Sequence, residues 1–279
     1  MDAKRVTVPD IGNMKAAGER ITMVTAYDWT FARLLDEAGA DMLLVGDSLG
    51  MVVQGHDTTL PVTLDEMIYH TRMVVRGAAR ALVVGDLPFG SYQAGPDRAI
   101  ESAIRLVKDG GAHCVKLEGG VAMAETIERI TAVDIPVVGH VGLTPQSVRR
   151  IGGHRVQGRR HGSAPGSRER VIEDAKAVEA AGAFAVVLEC IPLDLAAEIT
   201  QALSIPTIGI GAGPHCDGQV LVLHDLVGLN DAWTPRFAKR YAELGREVVR
   251  AAGAYVAEVK GGTFPTEAHG FAPQVAKAS

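Results

Sequence analysis

The sequence predicts an α/β fold, a single-domain (β/α)8 TIM barrel, from three observations. Eight short apolar runs recur along the 279 residues, segments with helical periodicity separate them, and several runs are apolar almost throughout. Alternation of strands with helices indicates βα units and a parallel sheet. Runs such as LVVG at 82–85 and AVVL at 185–188 suit strands covered on both faces better than a half-solvated antiparallel sheet. An open doubly wound sheet satisfies the same alternation, and the count of eight favours closure.

In chain order the expected strands are 21–26, 41–46, 81–85, 113–117, 136–139, 183–188, 207–210 and 220–223. Helices are expected over 29–38, 64–76, 96–109, 123–131, 170–181 and 193–203. Pro96 suits a first helical turn, where its missing N–H costs least. DGGA at 109–112 and AGA at 181–183 are glycine stops that feed the next strand. The seventh unit is the weak one, because 211–219 leaves little room for a full helix. Phe237, Tyr241, Leu244, Val248, Ala252 and Tyr255 recur at three- and four-residue steps, which predicts a C-terminal amphipathic helix over 235–260. Nothing in the pattern divides the chain, so one domain is expected over 1–279. The longest stretch without periodicity, 140–167, is rich in Gly, Arg and Ser, and such a loop in a compact domain is usually functional or mobile.

Composition removes several classes. Hydrophobic residues at 47% and charged residues at 22% argue against disorder and against a membrane protein. No window approaches the roughly 18 apolar residues of a spanning helix, and residues 1–5 lead into no signal-peptide core, so the expectation is a cytoplasmic protein. The formal charge of -5, from 33 acids and 28 bases, supplies no cationic face for a nucleic acid. Cys114, Cys190 and Cys216 show no CxxC spacing, so free thiols are expected.

Active sites of such barrels lie at the C-terminal ends of the strands. Here Asp47 closes DMLLVG, Asp86 closes ALVVG, Lys116 and Glu118 end HCVKLE, His140 closes PVVG, and Glu189 closes AVVL. Any single one of these has a structural alternative. A strand-end Asp is often the N-cap of the next helix, and a histidine is often a satisfied core residue. Five strands delivering ionisable groups to one rim are harder to explain that way.

The period of two puts Lys116 and Glu118 on the same side of their strand. Asp47 and Asp86, with Glu118 near them, make the oxygen-rich set that holds Mg2+, whereas zinc would call for His and Cys. Magnesium chelated by a 2-oxo acid stabilises an enolate and acidifies the adjacent carbon, and Glu189, among apolar neighbours, is the leading base. Lys116 serves to counter the substrate carboxylate or the enolate charge, with Schiff-base chemistry as its competitor. His140 orients substrate or is structural. The GIGAG run at 209–213 is a backbone cradle for an anion or a set of packing glycines. Arg149, Arg150, Arg155, Arg159 and Arg160 form a solvated face or meet an acidic cosubstrate.

Eight blocks carry a resemblance: TAYD (25–28), LLVGDSLGMVVQGHDTTLPVT (43–63), GDLPFGSY (85–92), VKLEGG (115–120), GHVGLTPQS (139–147), VQGR (156–159), VLECIP (187–192) and IGIGAGPHCDGQVLVLHD (208–225). In this order they resemble the ketopantoate hydroxymethyltransferase family. The resemblance implies a phosphoenolpyruvate/pyruvate-like barrel and transfer of the methylene group of 5,10-methylenetetrahydrofolate, with water, to 3-methyl-2-oxobutanoate in pantothenate biosynthesis. It implies Asp47 and Asp86 as magnesium ligands, Glu118 as a ligand directly or through water, and Glu189 as proton acceptor. Ser48 and Lys116 are then contacts to the 2-oxo acid, beside His140 and the metal pair. A homo-oligomer, specifically a homodecamer tied together by its C-terminal segment, is also implied. The sequence departs from the family at RHGSAPGSRER after VQGR, where Arg160 stands in place of the usual glycine, and only loosely matches it at FPTEAHGF. The alternatives are a magnesium-dependent lyase or aldolase on another 2-oxo acid and a non-catalytic metabolite-binding barrel.

Overall fold

The computed structural model describes residues 4–230 and 234–272. The expectations for residues 1–5 and for one domain over 1–279 fall partly on 1–3, 231–233 and 273–279, which lie outside the described residues. The described residues form two compact units, the first from residue 4 to Leu223 together with 236–238, the second from the described residues of 224–235 and 239–272.

The first unit is the barrel. Strands β1 (Ile21–Thr25), β2 (Met42–Val45), β3 (Leu82–Asp86), β4 (Cys114–Glu118), β5 (Val137–Gly142), β6 (Ala185–Glu189), β7 (Thr207–Ile210) and β8 (Gly218–Leu221) pair in parallel, each with the next, and β8 pairs back to β1. Around them lie α1 (Val8–Ala17), α2 (Trp29–Glu37), α3 (Leu49–Val52), α4 (Leu64–Gly77), α5 (Pro96–Lys108), α6 (Ala124–Thr131), α7 (Val148–Ile151), α8 (Arg168–Ala180) and α9 (Leu193–Ala202). As expected, the segment between β7 and β8 forms no helix. Helix starts follow local chemistry: Asp28 accepts from the Phe31 amide (2.9 Å) before α2, and Thr63 and Glu66 exchange hydrogen bonds before α4.

The period of two divides the strand residues into two apolar layers. Met42 and Leu44, Leu82 and Val84, Cys114, Val138, Ala185 and Val187 fill the barrel with Ile11 of α1, whereas Leu43, Val45, Val83, Val115, Leu117 and Val186 pack outward against the helices. Helix α1, for which the periodicity gave no expectation, closes the N-terminal floor, and Lys15 near its end donates to the carbonyls of Thr200, Leu203 and Ile205 and to Asp217. Two glycines set the approach around β5. A Cβ on Gly139 would meet Val178 Cγ1 of α8 at 2.3 Å, and one on Gly142 (φ +91°) would meet the Glu189 carbonyl at 2.4 Å. Side chains there would push β5 away from α8 and β6.

After β8 the chain continues through α10 (Leu223–Leu226), and the second unit holds α11 (Leu244–Lys260). The helix expected over 235–260 therefore begins later, at Leu244. Phe237 is in phase with the helical pattern but belongs to the first unit, with its ring 2.9 Å from where a Gly211 Cβ would stand, so tertiary packing overrides the periodicity. Val248, Val249, Tyr255, Val256 and Val259 of α11 are exposed. Among the described residues no helix is long and apolar enough to cross a membrane.

Candidate active site

The inward-facing rows that are hydrocarbon at the floor turn ionisable at the mouth. Leu82 and Val84 lead to Asp86, Cys114 leads to Lys116 and Glu118, Val138 leads to His140, and Ala185 and Val187 lead to Glu189. The register aligns Asp86 with Lys116 and Glu118 with His140 across adjacent strands. Asp47, just past β2, is buried beside them. Five of these six side chains are buried and Glu189 is half-buried, so the arrangement is costly unless its members hold one another or a ligand.

Lys116 Nζ donates to both oxygens of Asp86 at 2.7 Å. Burial alone would lower the ammonium's pKa, but the carboxylates of Asp86, Glu118 and Asp47 outweigh it and hold the amine protonated. A protonated, ion-paired lysine is poorly suited to Schiff-base chemistry. Burial, and then the charge of Asp86, pushes the Asp47 carboxyl up to about 7. Burial likewise raises Glu118 well above the carboxylate range, with Asp47 and Asp86 adding to it against Lys116. Neither aspartate is an N-cap: Asp47 Oδ2 accepts from Gln146 Nε2 (2.9 Å), and Asp86 meets Lys116 and the Asp47 amide.

Gln146 is the residue that sequence reasoning missed. Its Nε2 also reaches the Leu87 carbonyl (3.0 Å), its amide donates to Glu118 Oε2 (2.9 Å), and its Oε1 accepts from Tyr92 (2.6 Å) and Gln93 (3.0 Å). Tyr92, fully buried, accepts in turn from the Glu118 amide at 3.1 Å. One uncharged residue thus ties Asp47, through its side chain, to Glu118, through its backbone N–H. The signal lay in the block GHVGLTPQS, since neither residue ends a strand or follows a period.

His140 sits between two acids. Its Nε2 is 3.1 Å from Glu189 Oε2 and its Nδ1 is 3.6 Å from Glu118 Oε1, yet neither nitrogen has an aligned hydrogen-bond partner. His140 thus lies close to Glu189 without meeting the geometry of a full hydrogen bond to it. Burial, then Lys116, lowers its pKa and keeps the ring neutral. Ser48 Oγ lies 2.8 Å from the Tyr27 hydroxyl at the edge of the cluster.

Two large cavities open on the barrel unit. One, of about 850 Å3, has Glu118, Tyr92 and Gln146 among its walls and the 148–168 loop above. The other, of about 1110 Å3, is larger but holds none of the strand-end acids; it lies beside Cys190, Gly211 and Gly213. The chemistry points to the smaller one. At the GIGAG run, Cβ atoms on Gly209, Gly211 and Gly213 would strike Cys216, Phe237 and Leu193, which favours the packing role over an anion cradle. All three cysteines are free.

Among the described residues no three His, Cys, Asp or Glu side chains converge into a ready-made metal cage. Magnesium does not need one, since it takes one or two protein carboxylates and keeps water and substrate oxygens. Asp47 and Asp86, buried, oxygen-only and mutually repelling, fit that pattern, and zinc's preference for His and Cys does not.

A model of the ketopantoate hydroxymethyltransferase family matches residues 5–267. The chain belongs to this family. A 3-methyl-2-oxobutanoate hydroxymethyltransferase from Geobacter metallireducens is 58% identical over 268 residues, covering 96% of this chain and 99% of the relative. The enzyme of the same description from Pelobacter propionicus is also 58% identical, covering 96% and 98%. Among solved structures, 2,3-dimethylmalate lyase has a TM-score of 0.60 at 16% identity, covering 91% of this chain and 88% of that one. Phosphoenolpyruvate phosphomutase from Streptomyces platensis subsp. rosaceus has 0.60 at 16%, covering 96% and 92%. Phosphonopyruvate hydrolase in complex with oxalate and magnesium has 0.59 at 14%, also covering 96% and 92%. At these identities the structural likeness establishes the barrel fold alone, and this family shares it.

Proposed function

We propose that this chain transfers a hydroxymethyl group from 5,10-methylenetetrahydrofolate to 3-methyl-2-oxobutanoate, giving 2-dehydropantoate and tetrahydrofolate in pantothenate biosynthesis. The observation that carries the proposal is the buried acid–lysine–histidine cluster at the mouth of a barrel that shares 58% identity with enzymes of that description over 96% of its length. Asp47 and Asp86 are the residues to hold Mg2+, with Glu118 as a ligand directly or through water. A magnesium ion bound there supplies Lewis acidity at the keto oxygen.

The chain's own groups account for the remaining steps. Glu189, half-buried at the end of β6, takes the proton from C3, and the electron pair of that C–H bond moves into the keto group. Lys116, kept protonated by Asp86, offers positive charge to the substrate carboxylate or to the oxygen where negative charge develops. His140, neutral and 3.1 Å from Glu189, orients that carboxylate, and Ser48 contacts the 2-oxo acid at the rim. Water opens the donor's methylene bridge, both C–N bonds breaking as its two hydrogens pass to the nitrogens of the departing tetrahydrofolate. C3 then attacks the formaldehyde-level carbon so released, and its oxygen takes the proton back from Glu189. A homo-oligomer in the cytoplasm, with the decamer as its specific form, completes the proposal; the exposed apolar side chains of α11 support a subunit contact.

The test is a magnesium-dependent assay of 2-dehydropantoate formation together with exchange of the C3 proton in D2O. Glu189→Gln is expected to retain magnesium binding and to lose exchange by roughly 10²- to 10⁴-fold. Unchanged exchange in that variant would reassign the base. Consumption of the 2-oxo acid with no need for methylenetetrahydrofolate or formaldehyde would replace the transferase with a lyase.

A further inference from the structure

The loop that roofs the smaller cavity carries an unusual concentration of unpaired cations. Arg155, Arg159 and Arg160 make no side-chain hydrogen bond or ion pair among the described residues, and Arg150 reaches only a distant charge, that of Asp174. Elsewhere the arginines are engaged: Arg33, Arg80, Arg98, Arg105, Arg129, Arg168, Arg170, Arg240, Arg246 and Arg250 pair with acids, and Arg5, Arg20, Arg72 and Arg76 bond to backbone carbonyls. Outside 149–160 only Arg236, among the described residues, is left without such a partner. Exposed arginines normally find acids or carbonyls nearby, and four left over around one cavity mark a place for an anion.

The cavity's own acids do not neutralise them. Asp174 is taken by the Val121 amide (2.9 Å) and by Arg170 (3.2 Å), and Glu118 Oε2 accepts from the backbone N–H of Gln146 (2.9 Å). His161, the remaining cation-capable group on the rim, is already on Glu169 at 2.7 Å. The lining combines Glu118, Tyr92 and Gln146 of the reactive cluster, the apolar Phe89, Met123 and Ile151, and the free guanidinium groups. About 850 Å3 is a volume suited to a drug-sized ligand.

We propose that this cavity is the seat of the one-carbon donor, with its flat ring system against Phe89, Met123 and Ile151 and its acidic glutamyl tail on Arg150, Arg155, Arg159 and Arg160. The assignment rests on the proposed hydroxymethyl transfer and names which part of the chain reads the donor. It predicts that these arginines act on the folate side of the reaction alone, and that a longer glutamyl tail binds more tightly because more carboxylates meet the same cations.

The experiment compares the wild-type protein with Arg155→Gln, Arg159→Gln, Arg160→Gln and the triple variant. Donors are monoglutamyl and pentaglutamyl methylenetetrahydrofolate, with formaldehyde as the donor that has no tail. Each single variant is expected to raise KM for the folate about twofold to fivefold and the triple variant roughly tenfold or more. The advantage of the pentaglutamyl donor should disappear in the triple variant. KM for the 2-oxo acid, the formaldehyde-supported rate and C3-proton exchange should stay at wild-type values, which also shows that the variants are folded. A folate KM unmoved in the triple variant overturns the proposal. So does an equal rise in KM for the 2-oxo acid, which would mean that the arginines hold the substrate carboxylate instead. Failure of the underlying reaction reads differently: the wild-type protein itself would show neither exchange nor product with any donor.

Discussion

At the floor of the barrel, Asp41 accepts from the amide (3.0 Å) and hydroxyl (2.7 Å) of Thr22 on the neighbouring strand. Asp217 does the same for Thr207 (2.8 and 3.0 Å) and also holds Lys15, and His113 accepts from the Val83 amide at 2.9 Å. In each case the residue just before one strand is stapled to the start of the adjacent one. At the mouth, by contrast, Lys116 bonds only to Asp86, Asp86 adds only the long approach of the Asp47 amide (3.4 Å), Asp47 is crowded by Asp86, and both nitrogens of His140 lack an aligned partner. Polar groups bonded to backbone are spent on the fold, whereas those left crowded or unsatisfied retain free energy that a ligand can release. This contrast separates structural from functional charge without reference to any relative.

The strongest way to break it is Asp86→Ala. That change leaves the Lys116 ammonium buried without its counter-ion, and removing one partner of such a pair costs about 3–5 kcal/mol. Activity should fall by roughly three orders of magnitude or more, because a proposed metal ligand goes with it. Urea unfolding and the magnesium titration measure the two losses separately. A double variant, Asp86→Leu with Lys116→Met, is expected to recover most of the stability and none of the activity, since a buried ion pair replaced by hydrocarbon is often neutral. If the double variant is as unstable as Asp86→Ala, the pair is structural after all.

A pair of matched substitutions tests the two ends directly. Asp47→Asn keeps an acceptor for Gln146 Nε2 while removing a crowded charge, so the metal-free protein should gain about 1 kcal/mol. Asp217→Asn removes the charge that faces Lys15 and serves Thr207 twice, and should lose about 1–2 kcal/mol. Chemical denaturation in the presence of a chelator gives both numbers. Equal signs for the two would erase the distinction between floor and mouth.

The mouth was legible in the sequence, and the floor largely was not. Asp86, Lys116, Glu118, His140 and Glu189 stand out because a charge at the inward parity of an apolar strand has no cheap structural explanation, and the period of two tells which way it faces. Asp41, His113 and Asp217 occupy strand entries, where a polar residue is ordinary and its partner lies on a strand far away in sequence. Helix α1 and Gln146 escaped for a related reason: one is a short helix before the first strand, the other a neutral side chain in a loop, and neither has a period to betray it. The C-terminal helix shows the opposite failure. Phe237 and Tyr241 keep the helical spacing, yet Phe237 belongs with the barrel and the chain becomes helical only at Leu244.

The smallest predicted effect isolates a floor staple by pH. Burial, with the Arg5 charge added, lowers the pKa of His113, so the folded protein favours the neutral ring that can accept from Val83. A lowered histidine pKa makes the unfolded chain the better proton binder. The contribution is therefore complete above the ordinary value of 6.5 and is lost progressively as the pH falls below it. Unfolding free energies compared between about pH 8 and about pH 5 should show a decline of under about 1 kcal/mol attributable to this group. His113→Asn offers an acceptor that does not titrate, so its stability should fall less steeply over the same interval. Parallel declines in the two proteins would show that the Val83 bond does not depend on the ring's protonation, and that this end of the barrel is held by packing around α1 instead.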